Sequence, residues 1–171
     1  MSGADKVILV DHNSPSQSID SENANIIGII DHHAMSNFTF MKPIQIITKP
    51  VGSTCTILYE LYRKNNISIS KEIAGLIISA IISDTLLFKS PSTTQKDIDA
   101  VIFLSQYIKI DYKEYGYNML MAGTDISDLS EYDIINIDSK AYIINGYLVQ
   151  IAFVNSINAN EVLSYFTGFL S

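Results

Sequence analysis

At 171 residues, 47% of them apolar and 17% charged, the chain has enough hydrophobic material for one ordinary core and too little charge for a disordered segment. Its 18 acidic residues against 11 basic ones give a formal net charge of -7, and no dense Lys/Arg patch is present, which excludes nucleic-acid binding by bulk charge. The most apolar window, 73–88, is interrupted by Ser79, Ser83 and Asp84 and is too short to span a membrane. The opening M-S-G-A-D lacks a basic stretch followed by an apolar one, so no signal peptide is expected. A single cysteine, Cys55, cannot close an intrachain disulfide and suits a reducing, cytoplasmic setting.

The first predicted element is a strand over 6–10, a continuous Val/Ile/Leu run that reads as buried on both faces and is followed by Asp11-His12-Asn13. Residues 13–18 (N-S-P-S-Q-S) are turn chemistry. A second buried strand over 25–30 ends in Asp31-His32-His33, and a short third over 44–48 is closed by Lys49-Pro50. Gly52-Ser53-Thr54 then opens a helix over 55–64, with Ile57, Leu58, Leu61 and Tyr62 at helical spacing. Ser70 begins a second helix over 71–83, apolar or small nearly all round and therefore buried. Residues 84–90 read as a connection stopped by Ser90-Pro91, followed by helices over 94–107 and 112–121. A polar linker over 123–130 precedes short strands over 134–137, 141–144 and 147–154, with Asn145-Gly146 as a hairpin turn, and a closing helix over 158–169. The fold class is α/β: a parallel-sheet domain with flanking helices to about residue 123, then the start of a smaller α/β domain.

Open α/β sheets bind ligands beyond the carboxyl ends of their strands, where Asp11 and Asp31-His32-His33 stand. A lone aspartate after a strand is commonly a turn former or helix cap, which is the ordinary reading of Asp11 by itself. An Asp-His-His triplet ending a buried strand has three polar groups that need partners beside a core. Carboxylate oxygen with imidazole nitrogen and no thiolate favours Mn²⁺ or Mg²⁺ over Zn²⁺. Asp84 follows an apolar helix at the end where the helix dipole disfavours negative charge, so a cation is the natural partner and Asp84 is the third candidate ligand. Gly52-Ser53-Thr54 fits an anion-binding helix start and an ordinary N-cap equally well.

Taken together, V-I-L-V-D-H-N, I-I-D-H-H-A-M-S-N-F, K-P-V-G-S-T-C-T-I-L, the segment ending D-T-L-L-F-K-S-P, and E-Y-G-Y-N-M-L-M-A-G occur in an order that resembles the DHH phosphoesterase superfamily. Within it the resemblance is to the manganese-dependent (family II) inorganic pyrophosphatases, with D-T-L-L-F-K-S-P the most discriminating stretch. It implies a DHH domain over 6–123, a linker over 124–130 and, over 131–171, the beginning of a second domain. It also implies hydrolysis of pyrophosphate at a two-metal Mn²⁺ site, with Co²⁺ or Mg²⁺ as substitutes. Two such cations lower the pKa of a bridging water, and the resulting hydroxide attacks phosphorus. By the same resemblance Asp11 and Asp84 bridge the metals, His32 is a ligand, and Asp31 supports the site from behind. His33 is the catalytic group facing the substrate phosphate, Lys140 binds phosphate, and two subunits pair through the edge strand V-I-L-V-D.

Two departures bear on activity. The family's first motif, a strand leading into His-x-x-Pro-Asp-x-Asp, has no counterpart here: the chain has three histidines, and Pro15 is the only proline before residue 40. The family's closing Arg-Lys pair is also missing, and Ala34 stands where relatives carry a basic residue. The expectation is a pyrophosphatase segment impaired as an isolated chain. The competing expectation is an inactive remnant or dimerisation module.

Overall fold

Three short apolar runs pair side by side and in parallel, in the order β1 (Lys6–Val10), β2 (Asn25–Asp31) and β3 (Gln45–Thr48). The computed structural model describes residues 6–18, 24–37, 39–40, 42–124 and 128–154. These fall into two compact units, Met1–Gly116 and Tyr117–Ser171.

In the first unit Val10 stands beside Ile30, and Asp31 beside Thr48. Parallel strands end at a common edge, so the polar groups after β1 and β2 emerge side by side. Leu9, Ile29 and Ile46 share one face of the sheet, and Leu9 and Ile29 are buried there. On the opposite face Ile8 and Val10 are 52% and 41% exposed. The expectation of strands buried on both faces therefore fails for β1. An unbroken aliphatic run contains no signal for which face is covered, and among the described residues no helix covers the Ile8 side.

Helices α1 (Thr54–Lys64), α2 (Lys71–Thr85) and α3 (Gln95–Ile108) supply the rest of the core, α2 lying against both of the others and α1 against β2. Ile57, Ile78, Ile81, Ile82, Val101 and Leu104 are almost wholly buried. Each helix starts where local chemistry prescribes. The hydroxyl of Ser53 accepts from Cys55 N–H, that of Ser70 from Ile73 N–H, and the Asp97 carboxylate accepts from Thr94 N–H.

α2 runs two residues further than its sequence pattern indicates. Thr85 is buried and its hydroxyl donates to Ile81 O, which carries the helix past Asp84. Asp84 thus lies in the last helical turn rather than in a connection. It is also exposed, while its neighbours Ile81 and Ile82 face the core. The chain leaves α2 through Leu86, Leu87 and Phe88, all with positive φ, a conformation costing about 1–2 kcal/mol per non-glycine residue. The reversal is held by Leu87 N–H to Ile82 O and Ser90 N–H to Thr85 O.

α4 (Tyr112–Gly123) crosses the boundary between the units, and the second unit continues with α5 (Glu131–Asn136), β4 (Ser139–Ile144) and β5 (Tyr147–Ala152). A strand was expected over 134–137. Instead Ser130 and Asp133 form a reciprocal capping box, and Ile134 is buried on a helical face. β4 and β5 pair antiparallel as expected, with positive φ at both Asn145 and Gly146, the requirement of a type I′ turn. The expected helix over 158–169 and residues 125–127 of the expected linker lie outside the described residues. Among the described residues no helix is long and apolar enough to cross a membrane.

Two positions on α2 separate packing from propensity. Ile78 is fully buried and Leu76 is 65% exposed. Ile78→Ala should cost about 2–5 kcal/mol and Leu76→Ala under about 0.5 kcal/mol, read as shifts in the urea unfolding midpoint.

Candidate metal centre

Asp31 is the support on which the centre is built. It ends β2 with no exposure to water, and its Oδ1 accepts from His32 N–H at 2.8 Å, His33 N–H at 3.2 Å and His33 Nδ1 at 2.8 Å. Its Oδ2 accepts from Asn13 Nδ2 at 2.6 Å. Burial raises the pKa of Asp31, but the hydrogen bonds from His33 and Asn13 outweigh it and hold the carboxyl below its ordinary value. Asn13 is itself buried, and also donates to Ala34 O and accepts from Ser36 N–H. It thereby ties the loop after β1 to the loop after β2.

The ring nitrogens follow from these contacts. His33 Nδ1 faces a carboxylate and His32 Nδ1 faces Val51 O at 3.1 Å, so each proton sits on Nδ1 and each Nε2 offers a lone pair. His32 Nε2 lies 3.6 Å from Asp11 Oδ1. Asp11 reaches that place through a positive φ of 65°, which aspartate tolerates better than most residues, and its N–H is held by Ile30 O.

Asp11, His32 and His33 each present one ligand atom, all within 4.8 Å of one another. Ligands at about 2.1 Å from one ion stand about 3–4 Å apart, so small side-chain movements would close the three around a cation. The donor set fits a divalent transition metal. Cys55 adds no thiolate: burial, with the charges of Asp84 and Asp11, pushes its thiol up to about 11.

Asp84 stands outside this tight group but within electrostatic reach of all three residues. Partial loss of surrounding water raises its pKa, the Ser53 hydroxyl opposes the rise, and the Asp11 charge adds to it. A cation between the two carboxylates would relieve that repulsion. A cleft of about 420 Å³ borders the centre, lined by His32, His33, Thr48 and Lys49 among others. Lys49 is paired with Glu60, which also binds Lys96 at 2.8 Å. Lys140 lies in the second unit, exposed on β4 opposite Ile151. His12 bonds to Val10 O and is not part of the cluster.

Of the residues read from sequence, the structure brings Asp11, His32 and His33 together, with Asp31 beneath them and Asp84 close by. Asn13 was missed, because it reads as a turn former. Ser53 is the N-cap of α1, one of the two roles its sequence offered.

Residues 3–81 match the DHH family, N-terminal domain. The chain is 45% identical over 167 residues to a probable manganese-dependent inorganic pyrophosphatase of Lactobacillus johnsonii, covering 97% of this chain and 54% of the relative. It is 46% identical over 157 residues to the manganese-dependent inorganic pyrophosphatase of Bacillus subtilis, covering 91% of this chain and 51% of that one. In three dimensions it resembles a Methanococcus jannaschii protein assigned to the family II inorganic pyrophosphatases, with a TM-score of 0.75, 41% identity, and coverage of 93% of this chain and 55% of that chain. The chain spans about half the length of the curated relatives it matches.

Two outcomes test the support around Asp31. Asn13→Ala removes a partner from a buried carboxylate and from Ser36 N–H, and should cost about 1–3 kcal/mol by urea unfolding. The folded pKa of Asp31 lies below the unfolded value of about 3.9, so its contribution is complete above that pH and is lost as pH falls through the folded value. Asp31→Asn should accordingly flatten the acid limb of a stability–pH profile.

Proposed function

We propose that the chain belongs to the DHH family whose N-terminal domain residues 3–81 match, and that it carries part of a manganese-dependent site for hydrolysis of pyrophosphate to two phosphates. The observation that carries the reading is the convergence of Asp11, His32 and His33 at the carboxyl edge of a parallel sheet, with Asp84 within electrostatic reach of them. Asp11, His32 and Asp84 would hold Mn²⁺, with Co²⁺ or Mg²⁺ as substitutes, and bound metal would supply an activated water and charge neutralisation for the phosphoryl group. His33, oriented by Asp31 and bordering the 420 Å³ cleft, would face a phosphate of the substrate. Lys140 is assigned a second phosphate contact.

In this reading residues 6–123 form the DHH domain, 124–130 the linker and 131–171 the start of the second domain. The 171 residues contain no His-x-x-Pro-Asp-x-Asp segment, so activity of the chain alone is expected to be weak. Pairing of two copies through the edge strand is supported by β1 lying outermost in the sheet with Ile8 and Val10 exposed. The unpaired Cys55 supports a cytoplasmic location. These exposed strand residues also favour the second reading, a dimerising module without turnover.

Mn²⁺ binding followed by electron paramagnetic resonance, together with phosphate release from pyrophosphate, separates the readings. The expected result is Mn²⁺ binding weakened at least 10-fold by His32→Ala, and Mn²⁺-dependent phosphate release abolished by Asp84→Ala. Absence of Mn²⁺ binding and of phosphate release in a folded, dimeric chain would favour the inert module.

A further inference from the structure

α3 lies outside the metal centre, yet one of its side chains reaches the backbone that holds a histidine of the centre. Asp97 has no exposure to water. Its Oδ2 accepts from Gly52 N–H at 2.9 Å, Thr94 N–H at 2.7 Å and Thr94 Oγ1 at 2.6 Å, and its Oδ1 accepts from Thr56 Oγ1 at 2.5 Å. The bonds to Thr94 are an ordinary helix cap. The bond to Gly52 is not explained by capping α3, because it spans 45 residues to the loop that precedes α1.

The N–H of Gly52 and the C=O of Val51 belong to one peptide group. That group is planar and trans, so its N–H and C=O bonds point in opposite directions. Asp97 holds one end, and at the other end Val51 O accepts the Nδ1 proton of His32. We propose that Asp97 is a positioning residue for the metal centre, fixing the ring orientation and tautomer of His32 through the Val51–Gly52 peptide.

Two further observations support this arrangement. The approach is close enough to require glycine: a Cβ at position 52 would lie 2.9 Å from Asp97 Oδ2 and 2.7 Å from Thr85 Cγ2. Burial raises the Asp97 pKa, but its bonds from Thr56, Thr94 and Gly52 outweigh that and keep the carboxylate ionised, so the acceptor is charged and strong. Metal-binding histidines usually give their second nitrogen to a carboxylate or carbonyl that sets ring orientation. Here a carbonyl does so, and a carboxylate one peptide away fixes the carbonyl.

The test uses the full 171-residue chain. The ¹⁵N resonances of the His32 ring at pH 8 without metal report the tautomer, and Mn²⁺ titration reports affinity. The unsubstituted chain should show the Nδ1–H form; an Nε2–H form would overturn the proposal before any variant is made. Asp97→Ala should give mixed tautomers and weaken Mn²⁺ binding about 10–100-fold. Asp97→Asn should restore both to within about 3-fold, since its amide oxygen can replace Oδ2 and its NH₂ can donate to Thr56 Oγ1. If Asp97→Ala does not fold, Asp97→Ser serves in its place, keeping a hydroxyl acceptor near Thr94 while falling short of Gly52. A folded Ala or Ser variant with unchanged His32 resonances sinks the idea, leaving Asp97 as a structural cap only. The affinity measurement rests on the proposed metal-binding function and the tautomer measurement does not. Loss of Mn²⁺ binding in the unsubstituted chain would therefore count against that function, while the tautomer result would still judge the role of Asp97.

Discussion

Asp31 is a carboxylate sealed from water at the end of the central strand, and such a charge is tolerated inside a protein only when donors surround it. Those donors are also the groups that shape the site. The backbone N–H groups of His32 and His33 fix the turn after β2, His33 Nδ1 fixes one ring, and Asn13 brings in the loop after β1. The cost of burying one carboxylate thus couples the sheet's carboxyl edge to the orientation of the candidate metal ligands. Asp11 needs no such burial. It is exposed and depends on its backbone, held by Ile30 O, to reach His32.

The helical layer supplies the second constraint on the same site. α1, α2 and α3 pack through Ile57, Ile78, Ile81 and Leu104, and the segment 51–53 runs between α3 and the strand ends. His32 is therefore held from two sides, by Asp31 through its backbone and by Val51 through its ring. A ring already oriented before an ion arrives loses little freedom on binding, which is how a ligand gains affinity from its supports. Asp84 arrives from a third direction, at the end of α2, where the chain then turns through three left-handed residues. Backbone strain of that kind persists only where surrounding contacts over-determine it.

Much of this was legible in the residues. Helix starts at Ser53, Ser70 and Thr94 are local events, settled by a side chain and an N–H a few residues away. The Asn145-Gly146 turn is equally local, because few residues accept two successive positive φ values. α5 misled because Ile134, Ile135 and Ile137 satisfy a strand's β-branched preference, while the deciding Ser130–Asp133 capping box is a weaker signal. Asp97 escaped notice because its cap role hides a bond to a residue 45 positions away.

The sequence by itself singled out candidate metal ligands at the ends of two strands, because an apolar run that stops at Asp-His-His leaves polar groups needing partners. It also carries the resemblance to the DHH family, through the order of those motifs. Only the tertiary structure decided which face of β1 meets water, that Asp84 is exposed at a helix end, and that Asn13, Val51 and Asp97 reach toward the site. The physical reason is separation along the chain. A cap or a tight turn is written within four residues, whereas parallel pairing and the bonds to Asp31 and Asp97 join groups about 20 to 45 residues apart. No local pattern records such partners, and only folding brings them together.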